Sequence, residues 1–266
     1  MTPFSILVVL LMVLFIINNP ISSTSAYPQT KHIFLLAGQS NMAGFGGVVN
    51  DTWDHVVPPE CRRNPNILRL NPKLKWKVAK EPLNEGVDRW PNGIGPGMPF
   101  ANALLQKIPN YGTIGLVPCS VSGTKIIDWQ KGTDLYDMLV TRAQAAMKNE
   151  NRNGSNNTIE ALLWYQGESD TKNQTGAYAY KGRLQQFILD LRSDLNLPDL
   201  LVIQVALASG IIDYLEVIRQ AQLHTDLPNV KCVDAMGLQL QPDNIHLSTC
   251  GEIALGNLLA DAFINN

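Results

Sequence analysis

Ile33-Phe34-Leu35-Leu36-Ala37-Gly38-Gln39-Ser40-Asn41-Met42 is the stretch that decides the fold. Its first five residues form an apolar run rich in large side chains, as a buried strand requires, and the run stops at a glycine followed closely by a serine. Open α/β sheets collect their reactive groups just past the carboxyl ends of such strands, which is where Ser40 stands. The chain contains no Gly-x-Ser-x-Gly. That absence argues against the α/β-hydrolase fold, which presents its serine on such an elbow.

Working outward, further apolar segments read as strands at Thr113–Pro118, Ile159–Tyr165, Leu200–Leu207 and Val230–Ala235, beside His32–Ala37. Helical patterns alternate with them at Phe100–Lys107, Tyr136–Lys148, Ala177–Leu195, Tyr214–Leu223 and Cys250–Ile264. Alternation of this kind predicts βαβ crossovers, hence a five-stranded parallel sheet between two helical layers. No internal repeat and no low-complexity linker interrupts it. The exception is Phe45–Gly97, rich in Pro, Gly, Asn and Trp with little periodicity. So long an irregular stretch inside a compact domain means a functional loop region or an element the pattern hides. Pro72–Val78 reads as part of a small hairpin. Because the stretch follows the serine directly, it is expected to wall the substrate cleft.

A serine hydroxyl is a weak nucleophile at neutral pH and needs a base within reach, itself oriented by an acid. Asp243-Asn244-Ile245-His246 supplies both three residues apart. His246 suits the base because imidazole titrates near neutrality. Taken alone, Asp243 also reads as a capping acid for the helix that follows. Ser40 likewise reads as the N-cap of a short helix, a role compatible with nucleophilic attack. Of the other histidines, only His55 has a neighbouring acid, Asp54.

Gly38-Gln39-Ser40-Asn41-Met42, Trp164-Tyr165-Gln166-Gly167-Glu168-Ser169-Asp170 and Asp243-Asn244-Ile245-His246 together resemble the sequence blocks of the SGNH hydrolase superfamily. More narrowly, they are similar to its sialate O-acetylesterase-like group, which includes plant carbohydrate esterases of family 6. The resemblance runs from about Lys31 to the C-terminus and implies a three-layer, flavodoxin-like α/β/α domain with Ser40, Asp243 and His246 as catalytic residues. Acyl transfer also needs donors aimed at the developing oxyanion. The expected donors are the Ser40 backbone N–H, the Gly123 backbone in Ser120-Val121-Ser122-Gly123-Thr124, and a side-chain amide after the third strand. The broad superfamily uses Gly-x-Asn-Asp at that last block, whereas this chain carries Gln166-Gly167-Glu168-Ser169-Asp170. The donor is therefore assigned to Gln166, the only neutral amide there. Glu168 and Asn41 are read as loop support, and Asp128 with Trp129 as a hydrogen bond and an aromatic face for a sugar. Paired Glu168 and Asp170 also suggest glycoside hydrolysis. Carboxylates two residues apart in one loop rarely flank a sugar ring, however, and that chemistry leaves Ser40 and His246 idle.

With 266 residues and a net charge of −2, the chain suits one domain and shows no basic run that would point to nucleic acid or an anionic membrane. Phe4–Ile17 is apolar but shorter than a bilayer span, and Thr24-Ser25-Ala26 follows with small residues. Residues 1–26 therefore read as a cleaved secretory signal, with an uncleaved anchor as the other reading, and residues 27–266 as the mature domain. Export, with no stable membrane association afterwards, agrees with acceptor triplets at Asn50, Asn153, Asn156 and Asn173. Cys61, Cys119, Cys232 and Cys250 allow two disulfides in three connectivities, or buried free thiols at Cys119 and Cys232. The sequence reading is thus a secreted serine esterase that removes O-acetyl groups from a carbohydrate, without metal or organic cofactor. Its alternatives are a silent carbohydrate-binding protein on the same scaffold, or an esterase for other esters.

Overall fold

The computed structural model describes residues 31–148, 157–210 and 213–266. Strand β1 (Lys31–Gly38) leads into the four-residue helix α1 (Ser40–Ala43), then the small hairpin β2 (Val48–Val49) and β3 (Thr52–Trp53). Strands β4 (Ile67–Leu70) and β5 (Trp76–Val78) precede helix α2 (Gly97–Lys107) and strand β6 (Thr113–Pro118). The rest alternates as α3 (Asp134–Met147), β7 (Thr158–Tyr165), α4 (Gln174–Leu195), β8 (Leu201–Ala206), α5 (Leu215–Leu223), β9 (Val230–Asp234) and α6 (Thr249–Ile264).

The main sheet has seven strands in the order β5-β4-β6-β1-β7-β8-β9, all parallel except the β4–β5 pair. The five strands expected from the sequence are all present. The two extra ones come from the irregular stretch: β4 is only four residues long and pairs with β6, and β5 is a mostly exposed edge strand. The antiparallel β4–β5 pair is the small hairpin expected at Pro72–Val78, while β4 is too short to show a period of its own. Helices α3 and α4 begin two and three residues ahead of the apolar spacing. Their first turns are fixed by the capping side chains of Thr133 and Asn173, not by core contacts.

Two aromatic clusters show that both faces of the sheet are covered. Phe34 of β1 meets Phe100 of α2 and Phe263 of α6 edge-on, at ring centroid distances of 4.8 and 5.0 Å. Trp164 of β7 meets Trp129 and Phe187 of α4 at 5.2 and 4.6 Å, with Tyr136 of α3 against Phe187. All of these are edge-on, the favoured aromatic geometry, except the tilted Trp164–Phe187 pair at 36°. Trp129 is fully buried in the second cluster, so it is packing and not a sugar platform.

All four cysteines are free thiols, which corrects the expectation of disulfides. Cys119 follows β6 and Cys232 lies in β9, with β1, β7 and β8 between them. At roughly 4.8 Å per strand spacing, they are far beyond the ~7 Å Cα separation that a bridge tolerates. Burial pushes the Cys119 and Cys232 thiols up to about 11. Among the described residues no helix is long and apolar enough to cross a membrane. The signal segment and the acceptor triplets at Asn153 and Asn156 lie outside the described residues.

Candidate active site

Gly38 closes β1 with φ +138, and a Cβ there would stand 2.0 Å from the Tyr165 carbonyl oxygen of β7. Only glycine fits. The next N–H, that of Gln39, donates to that same carbonyl at 2.9 Å, so the chain turns sharply and Ser40 becomes the first residue of α1. Gln39, not Ser40, holds the N-cap position.

Across the sheet end, the loop before α6 brings up the acid and the base. Asp243 Oδ1 accepts from the backbone N–H groups of Ile245 and His246 at 2.9 and 3.0 Å, which winds Asp243–His246 into a tight turn. Its other oxygen, Oδ2, lies 2.7 Å from His246 Nδ1. Partial burial raises the Asp243 carboxyl, but the two backbone N–H groups and the imidazole outweigh it, leaving the group below its ordinary range. An ionised Asp243 fixes the tautomer, because Nδ1 must carry the proton it donates. His246 Nε2 is then the acceptor, 3.0 Å from Ser40 Oγ. Asp243 is not the cap of α6. Ser248 is, accepting from the Gly251 N–H.

Asn41 ties the parts together. Its amide donates to Glu168 Oε1 at 2.7 Å and to the Ile245 carbonyl at 3.3 Å, and its oxygen accepts from the Leu247 N–H at 2.9 Å. The Ser209 hydroxyl also donates to the Ile245 carbonyl, at 2.5 Å. The base-bearing loop is thereby bonded to the residue after the nucleophile. Phe45 stacks on the imidazole at 4.4 Å, with the rings only 15° from parallel. Glu168 is fully buried; desolvation pushes it up to about 7, so it supports Asn41 from within instead of facing a ligand.

These groups open into a cleft of about 310 Å³ lined by Gln39, Ser40, Phe45, Asp51, Trp90, Ser122, Gly123, Ser169, Lys172, Ile245 and His246. As expected, the irregular stretch supplies one wall, through Phe45, Asp51 and Trp90. Gly123 has φ +74 with open space on its Cβ side, and Asp88 holds its loop by accepting from the Ser122 N–H and hydroxyl.

Two assignments need correction. Gln166 is fully buried and away from the cleft, and its amide hydrogens go to the Thr124 carbonyl at 2.9 Å and Asp170 Oδ2 at 2.8 Å. Those two bonds exhaust its donors. The amide that does line the cleft is that of Gln39. Its Oε1 accepts from the Gly167 and Ser169 N–H groups at 3.4 Å each, with the Gln166 amide nitrogen 3.3 Å away. Two backbone donors on one atom identify it as the oxygen, which leaves the Nε2 hydrogens uncommitted among the described residues. Asp128 is the second correction. Its carboxylate accepts from the Lys125 N–H at 2.8 Å and closes the short 3-10 turn Ile126–Trp129, outside the cleft. Of the glycosylation candidates, Asn50 lies in the exposed turn between β2 and β3, and Asn173 caps α4 through Gly176. Among the described residues no cluster of His, Cys, Asp or Glu could hold a metal ion.

A parallel sheet that presents Ser, His and Asp at its carboxyl edge, with no nucleophile elbow, defines an SGNH-type hydrolase. Residues 30–265 match the profile of the carbohydrate esterase family described as sialic acid-specific acetylesterases, and the chain belongs to that family. It is 46% identical over 244 residues to a probable carbohydrate esterase of Arabidopsis thaliana, covering 89% of this chain and 91% of the relative. An X-ray structure of an Arabidopsis thaliana protein superposes with a TM-score of 0.84 at 45% identity, covering 90% of this chain and 99% of that one. NanS shares the fold with a TM-score of 0.66 at 17% identity, covering 89% of this chain and 97% of that one. The chain is accordingly an esterase of the carbohydrate acetylesterase type.

Proposed function

We propose that this chain removes O-acetyl groups from a carbohydrate through a covalent acyl-serine intermediate. The observation that carries the reading is the unbroken Asp243–His246–Ser40 relay at 2.7 and 3.0 Å, open to the cleft at Ser40. Ser40 Oγ attacks the acetyl carbon while its proton passes to His246 Nε2, and the carbonyl electron pair moves onto oxygen. Collapse re-forms the C=O bond, breaks the bond to the sugar oxygen and returns the proton from His246 to the departing hydroxyl. Water then repeats the sequence on the acyl-enzyme, releasing acetate and Ser40.

The oxyanion is held by the backbone N–H groups of Ser40 and Gly123 with Gln39 Nε2 as the third donor. Neither backbone donor has a partner among the described residues, as a preorganised hole requires. Release of acetate from acetylated sugars by wild type and Ser40→Ala tests the reading. Wild type should turn over, and the variant should lose on the order of 10^4- to 10^6-fold in kcat. A variant that keeps its rate refutes the mechanism. A wild type that binds sugar yet releases no acetate turns the reading into that of a binding protein.

A further inference from the structure

The catalytic cleft does not end at Trp90. That side chain, 45% exposed, also lines a second groove of about 430 Å³, together with Trp53, His55, Lys80, Glu81, Glu85 and Asn92. Trp90 is the one residue named in both linings. The Arg89 guanidinium lies over the indole, 5.6 Å from its ring centre, and the rest of the ring stays open to water.

The groove also carries polar atoms in need of partners. Asn92 is more than nine-tenths buried, and its Nδ2 has no hydrogen-bond partner among the described residues, nor does Trp53 Nε1. Such orphan groups are rare in native structures and mark places where water or a ligand completes the bonding. The Glu81 carboxyl, raised to about 8 by burial, stays protonated at neutral pH and so presents a neutral acid. The exposed charges along the groove, Lys80 and Glu85, are of opposite sign. A part-open indole, buried orphan donors and exposed charges of both signs suit a chain of uncharged sugars, whose rings have apolar faces and hydroxyl edges.

From this juxtaposition we infer that the groove beyond Trp90 is a second sugar-binding site, so that the substrate is an uncharged oligosaccharide spanning both sites across the Trp90 indole. The inference rests on the esterase reading and extends it from an acetylated sugar to an acetylated chain. The acetylated residue sits at Ser40 and its neighbours continue over Trp90 toward Asn92 and Trp53.

Two measurements separate this inference from the reading beneath it. The first is binding of unacetylated cellohexaose, maltohexaose and glucose to Ser40→Ala protein, followed by tryptophan fluorescence, which needs no catalysis. One hexaose should bind at least tenfold tighter than glucose, and Trp90→Ala or Asn92→Ala in that background should remove the advantage, with Trp90→Phe restoring part of it. Equal affinity for hexaose and glucose, or an advantage that survives Trp90→Ala and Asn92→Ala, overturns the inference whatever the fate of the esterase reading. The second is acetate release from chemically acetylated hexaose against 4-nitrophenyl acetate. The substitutions should raise KM for the hexaose about tenfold more than for the aryl ester. An equal loss on both substrates reports damage to the catalytic cleft alone and refutes the second site.

Discussion

The carboxyl edge of the sheet and the Phe45–Gly97 stretch meet at one cleft but are built in opposite ways. At the sheet edge, β1, β6 and β7 fix the backbone, and short polar side chains reach their partners directly: Ser40 to His246, His246 to Asp243, Asn41 to the loop of the base. The irregular stretch has few regular ladders and rests instead on single buried polar residues. Asn84 donates to the Ser120 carbonyl, Asp88 holds Ser122, and Glu81 accepts from the Leu83 N–H. The first region is rigid because the sheet over-determines it. The second can vary in shape while the sheet stays intact. A rigid edge suits bond-making and a variable wall suits choosing what is brought to it.

Removing the base should give the largest effect and break the comparison if it fails. His246→Ala should lower kcat on every ester by about as much as Ser40→Ala, on the order of 10^4- to 10^6-fold, and the double variant should be no worse than either alone. Additive losses in steady-state kinetics would show that the two residues do not act as one unit. Next comes Gln39→Glu, which keeps an oxygen for the Gly167 and Ser169 N–H groups but puts a second oxygen where the donor stood. It should cost ~100- to 1,000-fold in kcat with little change in KM or melting temperature. A comparable kcat loss in Gln166→Glu, with Gln39→Glu near wild type, would return the role to Gln166.

The smallest effect concerns how the wall is fastened to the frame. Glu81 of the stretch, Glu168 beside Asn41 and Glu252 of α6 are buried carboxyls, and Glu252 lies within electrostatic reach of both others. Desolvation raises all three: Glu81 to about 8, Glu168 to about 7 and Glu252 well above its ordinary value. A raised pKa in the folded state means the native protein holds protons that the unfolded chain, titrating near pH 4.3, has released. The stability these groups contribute is fully present below about pH 4 and is lost as pH rises toward 8. The melting temperature should therefore drop between pH 5 and 8, and Glu81→Gln should flatten that drop by on the order of a few °C. A melting temperature that climbs over this range, or a slope unchanged in Glu81→Gln, would mean the cluster does not fasten the wall.

How much of this was legible in the sequence follows from how local each signal is. The five principal strands could be read because long apolar runs are contiguous, and the triad because three separate blocks together resemble one family, since Asp243-x-x-His246 alone also reads as a helix cap. Strand β4 could not be read, since four residues carry no period, whereas the expected hairpin at Pro72–Val78 is the β4–β5 pair. Gln166 misled because residue type shows that an amide is present, not whether its hydrogens are already spent on Thr124 and Asp170. Asp128 and Trp129 misled in the same way: a carboxylate and an indole look available until the turn and the core claim them. The cysteines were a count without geometry, and the strand order keeps Cys119 and Cys232 apart.

Asn41 carries one more consequence. It joins a helix formed near residue 40 to a loop more than two hundred positions later, with hydrogen-bond separations of 204 and 206 residues along the chain. Nucleophile and base therefore meet only after the last crossover has docked. A polypeptide still emerging, or clipped ahead of Asp243, would hold an alcohol with nothing to take its proton. Reactivity is in this sense a readout of completed assembly, withheld from every partial form of the molecule.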